Sequence, residues 1–281
     1  MEALVSICMN TFQHENFIGK AIDGVLMQRT NFSFEILIGE DGSKDCTRVI
    51  CEEYAEKYPD KIKLLPNDRK YGQNANLSRT IQACSGKYIA LCEGDDFWTD
   101  PFKLQKQIDF LEQHGDHVMC FHKINSVDEH GNMLEDGGGA NEQTIYYDGN
   151  DFFHVFIPTP AIVFRNCLKE FPEEFYSVKS TDAFLFAMLS GFGKGANLGF
   201  VGASYRKHSG GFYNRLTPLG RYKQSIHTRK IMKRSAYFNP VQKKEIRREL
   251  ARRELLYIKY FLKKMEILNC LKIISFYLSL R

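Results

Sequence analysis

The sequence has eight cysteines but no C-x-x-C pair and no cysteine–histidine spacing that fits zinc. That excludes a zinc-organised fold and a dithiol redox motif. Several of the cysteines (Cys8, Cys46, Cys51, Cys84, Cys92, Cys120, Cys167, Cys270) sit inside apolar runs, as small core side chains do. Reduced thiols and a cytosolic setting are expected. No apolar run approaches the roughly 20 residues of a membrane span; the last, IISFYLSL at 273–280, stops short. The opening MEALVSICMN carries an acid at position 2 and reads as a strand, not a signal peptide. Net charge is only +4, too little by itself to argue for nucleic acid. No internal repeat and no low-complexity tract interrupts the chain. Glycine-rich phosphate loops are also missing. Gly137–Gly139 is followed by no lysine and has no strand–helix setting, which leaves a flap over an acceptor as its functional reading. MNTFQHENF, after the first strand, has no such loop either.

What is present is globular: 43% hydrophobic and 26% charged residues over a length of 281. One large α/β domain, or a domain plus an appendage, fits that length. Short β-branched runs predict strands at 4–10, 34–39, 62–65 and 87–93. Between them, helical spacing covers 15–28, 48–58 and 73–84, and a further helix follows at 100–114, with Pro101 near its start. Such alternation predicts a parallel sheet covered on both faces. Ligands of such sheets bind beyond the carboxyl ends of the strands. Thr11, Asp41 and the acids at 93–96 all fall there. The second half is more mixed. It has strands at 118–134 (with a turn), 160–164 and 198–211 (running into a loop), a helix at 180–191 capped by Ser180 or Thr181, and basic helix from about 217.

The segment YIALCEGDDFWTDP (88–101) is the most informative. A core strand ends in Glu93, Asp95 and Asp96, three carboxylates that disfavour one another's ionisation. Carboxylates aimed at one point suit Mn²⁺ or Mg²⁺, which take substrate phosphates as remaining ligands. A solvated acidic turn capped by Asp100 and Pro101 is the plainer reading of the same residues.

The ordered set VSICMNTFQHENFIGKAIDGVLMQ, FEILIGEDGSKDCT, GQNANLSRTIQACSGKYIALCEGDDFWTDPFKLQKQ and YRKH resembles the inverting family-2 glycosyltransferases, over about residues 3–210. The resemblance implies a GT-A, Rossmann-like, mostly parallel sheet flanked by helices as a catalytic domain at 1–216; the basic helical extension at 217–281 is read from its own composition. It implies a nucleotide-diphospho-sugar donor, a saccharide or lipid-linked acceptor, and Mn²⁺ or Mg²⁺. It puts Thr11 and Asp41 against the base, Asp95 and His208 on the metal, Glu93, Asp96 and His208 near the ribose and diphosphate, and Asp182 as catalytic base. The pathway it suggests is cell-surface polysaccharide or glycolipid assembly. Four positions depart from the family pattern: Glu93 for the first acid of D-x-D, Thr181 before the base, Phe12-Gln13 for Tyr-Asn, and Asn76-Leu77-Ser78 for Ala-Arg-Asn.

Each assignment has a purely structural counterpart. Asp41 could be a turn residue, Asp182 a helix-start partner of the dipole, His208 a solvated loop residue and Trp98 a packing anchor. Residues 241–265 hold nine Lys or Arg and three Glu, with Ile246, Leu250, Tyr257, Phe261 and Leu268 roughly on one helical face. That face suits either an anionic membrane surface at the inner side of the cell membrane or packing on protein. No nucleic-acid-binding motif accompanies the charge. A nucleotidyltransferase and a non-catalytic sugar-nucleotide-binding subunit are the alternative functions.

Overall fold

The apolar runs VSICMNT and FEILIGE form β1 (Val5–Thr11) and β2 (Phe34–Glu40), buried along almost their whole length. Strands covered on both faces must read that way. The computed structural model describes residues 3–134, 143–211, 215–264 and 271–275. With β3 (Ile62–Leu64), β4 (Tyr88–Leu91), β5 (Phe97–Trp98), β6 (His117–Val127), β7 (Ile145–Tyr147), β8 (Val163–Arg165) and β9 (Lys194–Arg206), they make one mixed nine-stranded sheet among the described residues.

The order is β3-β2-β1-β4-β8-β6-β9-β5, with β7 also on β9. β1, β2, β3 and β4 pair in parallel, and β6 pairs in parallel with β9. β8 is antiparallel to both β4 and β6, so all six of these strands run the same way. Their carboxyl ends therefore share one edge. Helices α1 (Ile18–Leu26), α2 (Thr47–Lys57), α3 (Gln73–Ala83) and α4 (Lys103–Gln113) connect or flank these strands. The core joins Val5, Ile7 and Met9 of β1 with Ile36 and Ile38 of β2, and takes in Ile18, Ile22 and Val25 of α1 and Leu104, Ile108 and Leu111 of α4.

Two compact units divide the chain: Met1–Phe171 with Leu189–Ser209, and Pro172–Met188 with Gly210–Arg281. The second unit thus takes in most of α5 (Thr181–Leu189), which the expected boundary after residue 216 left with the catalytic domain. The reason is local packing. Phe184 of α5 sits 5.7 Å from Phe175 and 5.4 Å from Phe238, ring centre to ring centre. Just before the helix, the backbone N–H groups of Lys179 and Ser180 donate to the Thr228 hydroxyl on α6 (Pro218–Arg234).

The same unit shows what lies against part of the apolar face of the basic tail. Asn239 and Gln242 cap α7 (Pro240–Lys263) reciprocally, with Pro240 in the first turn. Ile246, Leu250 and Phe261 are buried, and Tyr257 packs 4.9 Å from Tyr222 of α6. Glu249 is buried too and accepts from Arg252 and Arg253. Of the face predicted from spacing, Ile246, Leu250 and Phe261 are thus buried and Tyr257 is half-buried. Leu268 and Gly137–Gly139 lie outside the described residues. Among those described, no helix is long and apolar enough to cross a membrane.

Trp98 is a packing anchor. It is buried, its indole Nε1–H donates to the Pro160 carbonyl at 2.9 Å, and the Lys103 ammonium lies 3.9 Å from the ring centre. Lys103 is itself fully buried and donates to Gln107. Burial pushes its pKa down to about 7, against the pull of Cys92, Cys120 and Asp100. Above that value the folded protein holds one proton fewer than the unfolded chain, until the lysine also deprotonates when unfolded. Stability contributed here therefore rises with pH between about 7 and 10.5, by up to roughly 1.4 kcal/mol per pH unit. Urea unfolding of wild type and Lys103→Met at pH 7 and pH 9 checks this. Wild type should gain about 2 kcal/mol on the variant over that interval. Parallel pH dependence in the two proteins would mean that Lys103 keeps an ordinary proton affinity.

Candidate active site

Chain geometry gathers the carboxylates. β1 ends at Thr11, β2 at Glu40 with Asp41 next, and β4 at Leu91, two residues before Glu93-Gly94-Asp95. The Gly94 N–H donates to the Asn10 carbonyl, which draws the acidic loop against the end of β1. A Cβ at Gly94 would overlap the Thr11 hydroxyl oxygen and lie 2.7 Å from Thr11 Cβ. The acids reach this edge only because the residue between them has no side chain.

One ligand atom from each of Glu93, Asp95 and Asp96 lies within 4.8 Å of the others, and the same is true of His14, Asp95 and His208. Asp95 joins the two sets. Its Oδ2 is 3.1 Å from His208 Nε2 and 3.7 Å from His14 Nε2. Burial raises its pKa, but the His208 hydrogen bond and the charges of His14 and His208 outweigh that and hold it below the ordinary carboxylate value. Asp96 goes the other way. It is buried beside Asp95 and Glu93, and both effects push it well above the ordinary value despite the nearby Arg206. Burial also lowers the pKa of His14, against the pull of Asp95.

Arg206, at the end of β9, ties the cluster together. Its backbone N–H donates to Asp96 Oδ1 at 2.9 Å and its Nε to the Asp95 carbonyl at 3.0 Å. Its guanidinium also reaches the Glu129 carbonyl and lies over the rings of Phe17 and Phe97. Phe17 in turn packs edge-on to His208 at 4.7 Å.

Among the described residues Asp96 Oδ2 is buried without a hydrogen-bond partner. An orphaned carboxylate oxygen among three acids, beside imidazole nitrogens, is a donor set short of positive charge. The donor set fits Mn²⁺ or Mg²⁺, which Asp95 and His208 could hold with Glu93 and Asp96 at hand.

Thr11 and Asp41 sit one strand over. The Asp41 N–H donates to the Thr11 carbonyl, and the Asp41 carboxylate accepts from the backbone N–H groups of Tyr71 and Gly72. The turn reading of Asp41 thus has a concrete form: it anchors the loop that opens α3. A carboxylate has about four acceptor positions, so these bonds leave room for a ligand. Nearby, Lys70 stacks on Phe12 at 3.7 Å, and Arg79 on Tyr71 at 4.1 Å. Arg79 also donates to the Glu40 carbonyl and to Asn76, whose amide donates to the Gly39 carbonyl. The segment that departs from Ala-Arg-Asn therefore braces the end of β2.

Asp182 lies in the second unit, in the first turn of α5, with its side chain reaching solvent. Crowding by protein raises its pKa, while the Ala183 N–H and the charges of Arg229 and Arg253 pull it down. The six other expected site residues are all in the first unit.

Residues 6–171 match the model of glycosyl transferase family 2, more than half of the chain. This chain belongs to glycosyltransferase family 2. A relative within reach is an uncharacterized protein of Mycobacterium tuberculosis, 32% identical over 216 residues, which are 75% of this chain and 60% of that protein. This family-2 chain thus spans less than two thirds of that relative's length. The Escherichia coli protein named UDP-Glc:alpha-D-GlcNAc-diphosphoundecaprenol beta-1,3-glucosyltransferase WfgD is 34% identical over 108 residues, 38% of this chain and 41% of its own. Among solved structures, Staphylococcus aureus TarS 1–349 in complex with UDP-GlcNAc superposes with a TM-score of 0.67 at 17% identity, over all of this chain and 81% of TarS. A mannosyltransferase of Pyrobaculum calidifontis, in complex with GDP-Man and Mn²⁺, gives 0.64 at 14% identity over 99% and 76%. These likenesses establish the GT-A fold for this family-2 member.

Two residues of the candidate site had no role in the sequence reading. Arg206 stands inside the YRKH segment itself. His14 lies three residues past Thr11, and nothing in its local spacing points to Asp95 or His208.

Proposed function

We propose that this chain is a metal-dependent, inverting glycosyltransferase. It moves a sugar from a nucleotide-diphospho-sugar to an acceptor hydroxyl, in the assembly of a cell-surface polysaccharide or glycolipid. The observation that carries the reading is the meeting of Glu93, Asp95, Asp96 and His208 at the carboxyl edge of a mixed, mostly parallel sheet. Donor-bound relatives of the same fold support it. A lipid-linked acceptor is supported by the activity for which WfgD is named.

Bound at this cluster, Mn²⁺ or Mg²⁺ would supply Lewis-acid stabilisation of a diphosphate leaving group. Asp95 and His208 would hold the cation, with Glu93 and Asp96 toward the ribose and diphosphate. His208 adds charge stabilisation on the leaving side. Thr11 and Asp41 bound the place of the base. Asp182 takes the proton from the acceptor oxygen as that oxygen attacks the anomeric carbon opposite the diphosphate. A single displacement inverts that carbon.

The test is a panel of UDP-, GDP- and dTDP-linked sugars with the purified protein and a carbohydrate acceptor, read as free nucleoside diphosphate. Release from one donor class, abolished by EDTA, is expected. Pyrophosphate formation from a sugar 1-phosphate and a nucleoside triphosphate would make the protein a nucleotidyltransferase. Tight donor binding without turnover would make it a binding subunit.

A further inference from the structure

The ring of His14 faces the cluster from the loop after β1. Its Nε2 is 3.7 Å from Asp95 Oδ2, the same oxygen that lies 3.1 Å from His208 Nε2. The two imidazoles meet edge-on, with ring centres 5.9 Å apart, so neither covers the other's Nε2. The other nitrogen of His14, Nδ1, is 3.2 Å from the Thr11 hydroxyl oxygen. When Nδ1–H donates to that oxygen, Nε2 turns its lone pair toward Asp95. Histidines that bind metals are oriented in this way, by a hydrogen bond on the nitrogen that does not bind. The orphaned Asp96 Oδ2, on a residue 1% exposed, independently marks missing positive charge in the adjoining acidic set.

We infer that His14 is a further protein ligand of the cation, alongside Asp95 and His208. Two imidazoles and a carboxylate are a donor set for first-row transition ions, whereas Mg²⁺ prefers oxygen donors and keeps its waters. The site should therefore select Mn²⁺ over Mg²⁺, more strongly than one carboxylate and one imidazole would. The inference takes from the proposed function only that a divalent cation binds here.

The experiment uses the full chain with Mn²⁺ alone and no donor. Pulsed electron paramagnetic resonance of the bound ion should show nitrogen couplings from two imidazoles in wild type and from one in His14→Ala. Titration calorimetry should give a loss of about 10-fold or more in Mn²⁺ affinity for His14→Ala, the scale seen even when partners of metal ligands are removed. Affinity for Mg²⁺ should fall less, so the Mn²⁺ preference narrows. Thr11→Val keeps the ligand but loses its orienting oxygen, and should fall between the two. A single imidazole coupling in wild type overturns the assignment, whether or not the variants fold. Unchanged Mn²⁺ affinity and preference in a folded His14→Ala protein does the same, and leaves only ion pairs at Asp95. Two couplings without any nucleoside diphosphate release would keep this assignment and remove the glycosyltransferase reading. Release with one coupling would do the reverse.

Discussion

Asp95→Ala should be folded and essentially inactive. The lost side chain is the one carboxylate that both His14 and His208 approach, and its Oδ2 belongs to both ligand sets. Metal stabilisation of a leaving group contributes several kcal/mol, and each 1.36 kcal/mol is about tenfold in rate. We therefore expect turnover to fall by about 10³-fold or more, and donor binding in Mn²⁺ to weaken because the diphosphate charge is left unscreened. The fold should survive. Arg206 is held through the Asp95 carbonyl, which alanine keeps. Removing one of three crowded acids also relieves Asp96, whose pKa they raise. Thermal unfolding should thus change by no more than about 1 kcal/mol, since the lost hydrogen bond and the relieved repulsion oppose each other. Near-normal nucleoside diphosphate release by the variant would remove Asp95, and the metal reading of the E-G-D-D segment, from the mechanism.

Asp182→Asn should lose about 10²- to 10⁴-fold in kcat, the usual contribution of a positioned general base, with donor affinity almost kept. Asparagine preserves size and the ability to sit in a helix's first turn, but cannot take the proton. The pH profile adds a second readout. The base acts in its deprotonated form, so activity falls as pH drops through its pKa. Desolvation places that pKa above an ordinary aspartate's, so the acid limb should lie correspondingly high in wild type and be missing in the variant. An equal fall in donor binding would make Asp182 a donor contact or a structural residue of α5.

The strands and acids that dominate this picture were legible because their signals are local. VSICMNT and FEILIGE are unbroken apolar runs, and E-G-D-D is four consecutive residues. β5 was not legible. It has two residues, Phe97 and Trp98, and is a strand only because β9 pairs with it. β9 itself was read as starting near 198, although it begins at Lys194, because glycines at 195, 199 and 202 break any alternation. Its pairing with β6 also carries register shifts. The amphipathic face of α7 could be read from spacing, but its cover could not: Tyr222 lies on another helix, and only the fold says that it is near. His14 failed for the same reason. Its closeness to Asp95 and His208 is set by strand order, and no spacing rule spans that distance in sequence.

That strand order also dictates a sequence of events as the chain is made. β9 lies between β6 and β5, and at its end and just beyond it come the residues that close the acidic cluster, Arg206 and His208. Chains grow from the amino end at about 5–20 residues per second, so β1 to β4 can pair while β5 still has no neighbour in the sheet. Until β9 is available, Asp96 lacks the Arg206 N–H and Asp95 lacks His208. The nascent chain therefore carries its carboxylates for the whole of that interval without the groups that hold them in place. Parallel, long-range pairing such as β6 with β9 is also the slowest kind to form. The assembled cluster is thus a marker of the finished first unit, and a chain truncated before β9 would carry E-G-D-D without its Arg206 and His208 partners.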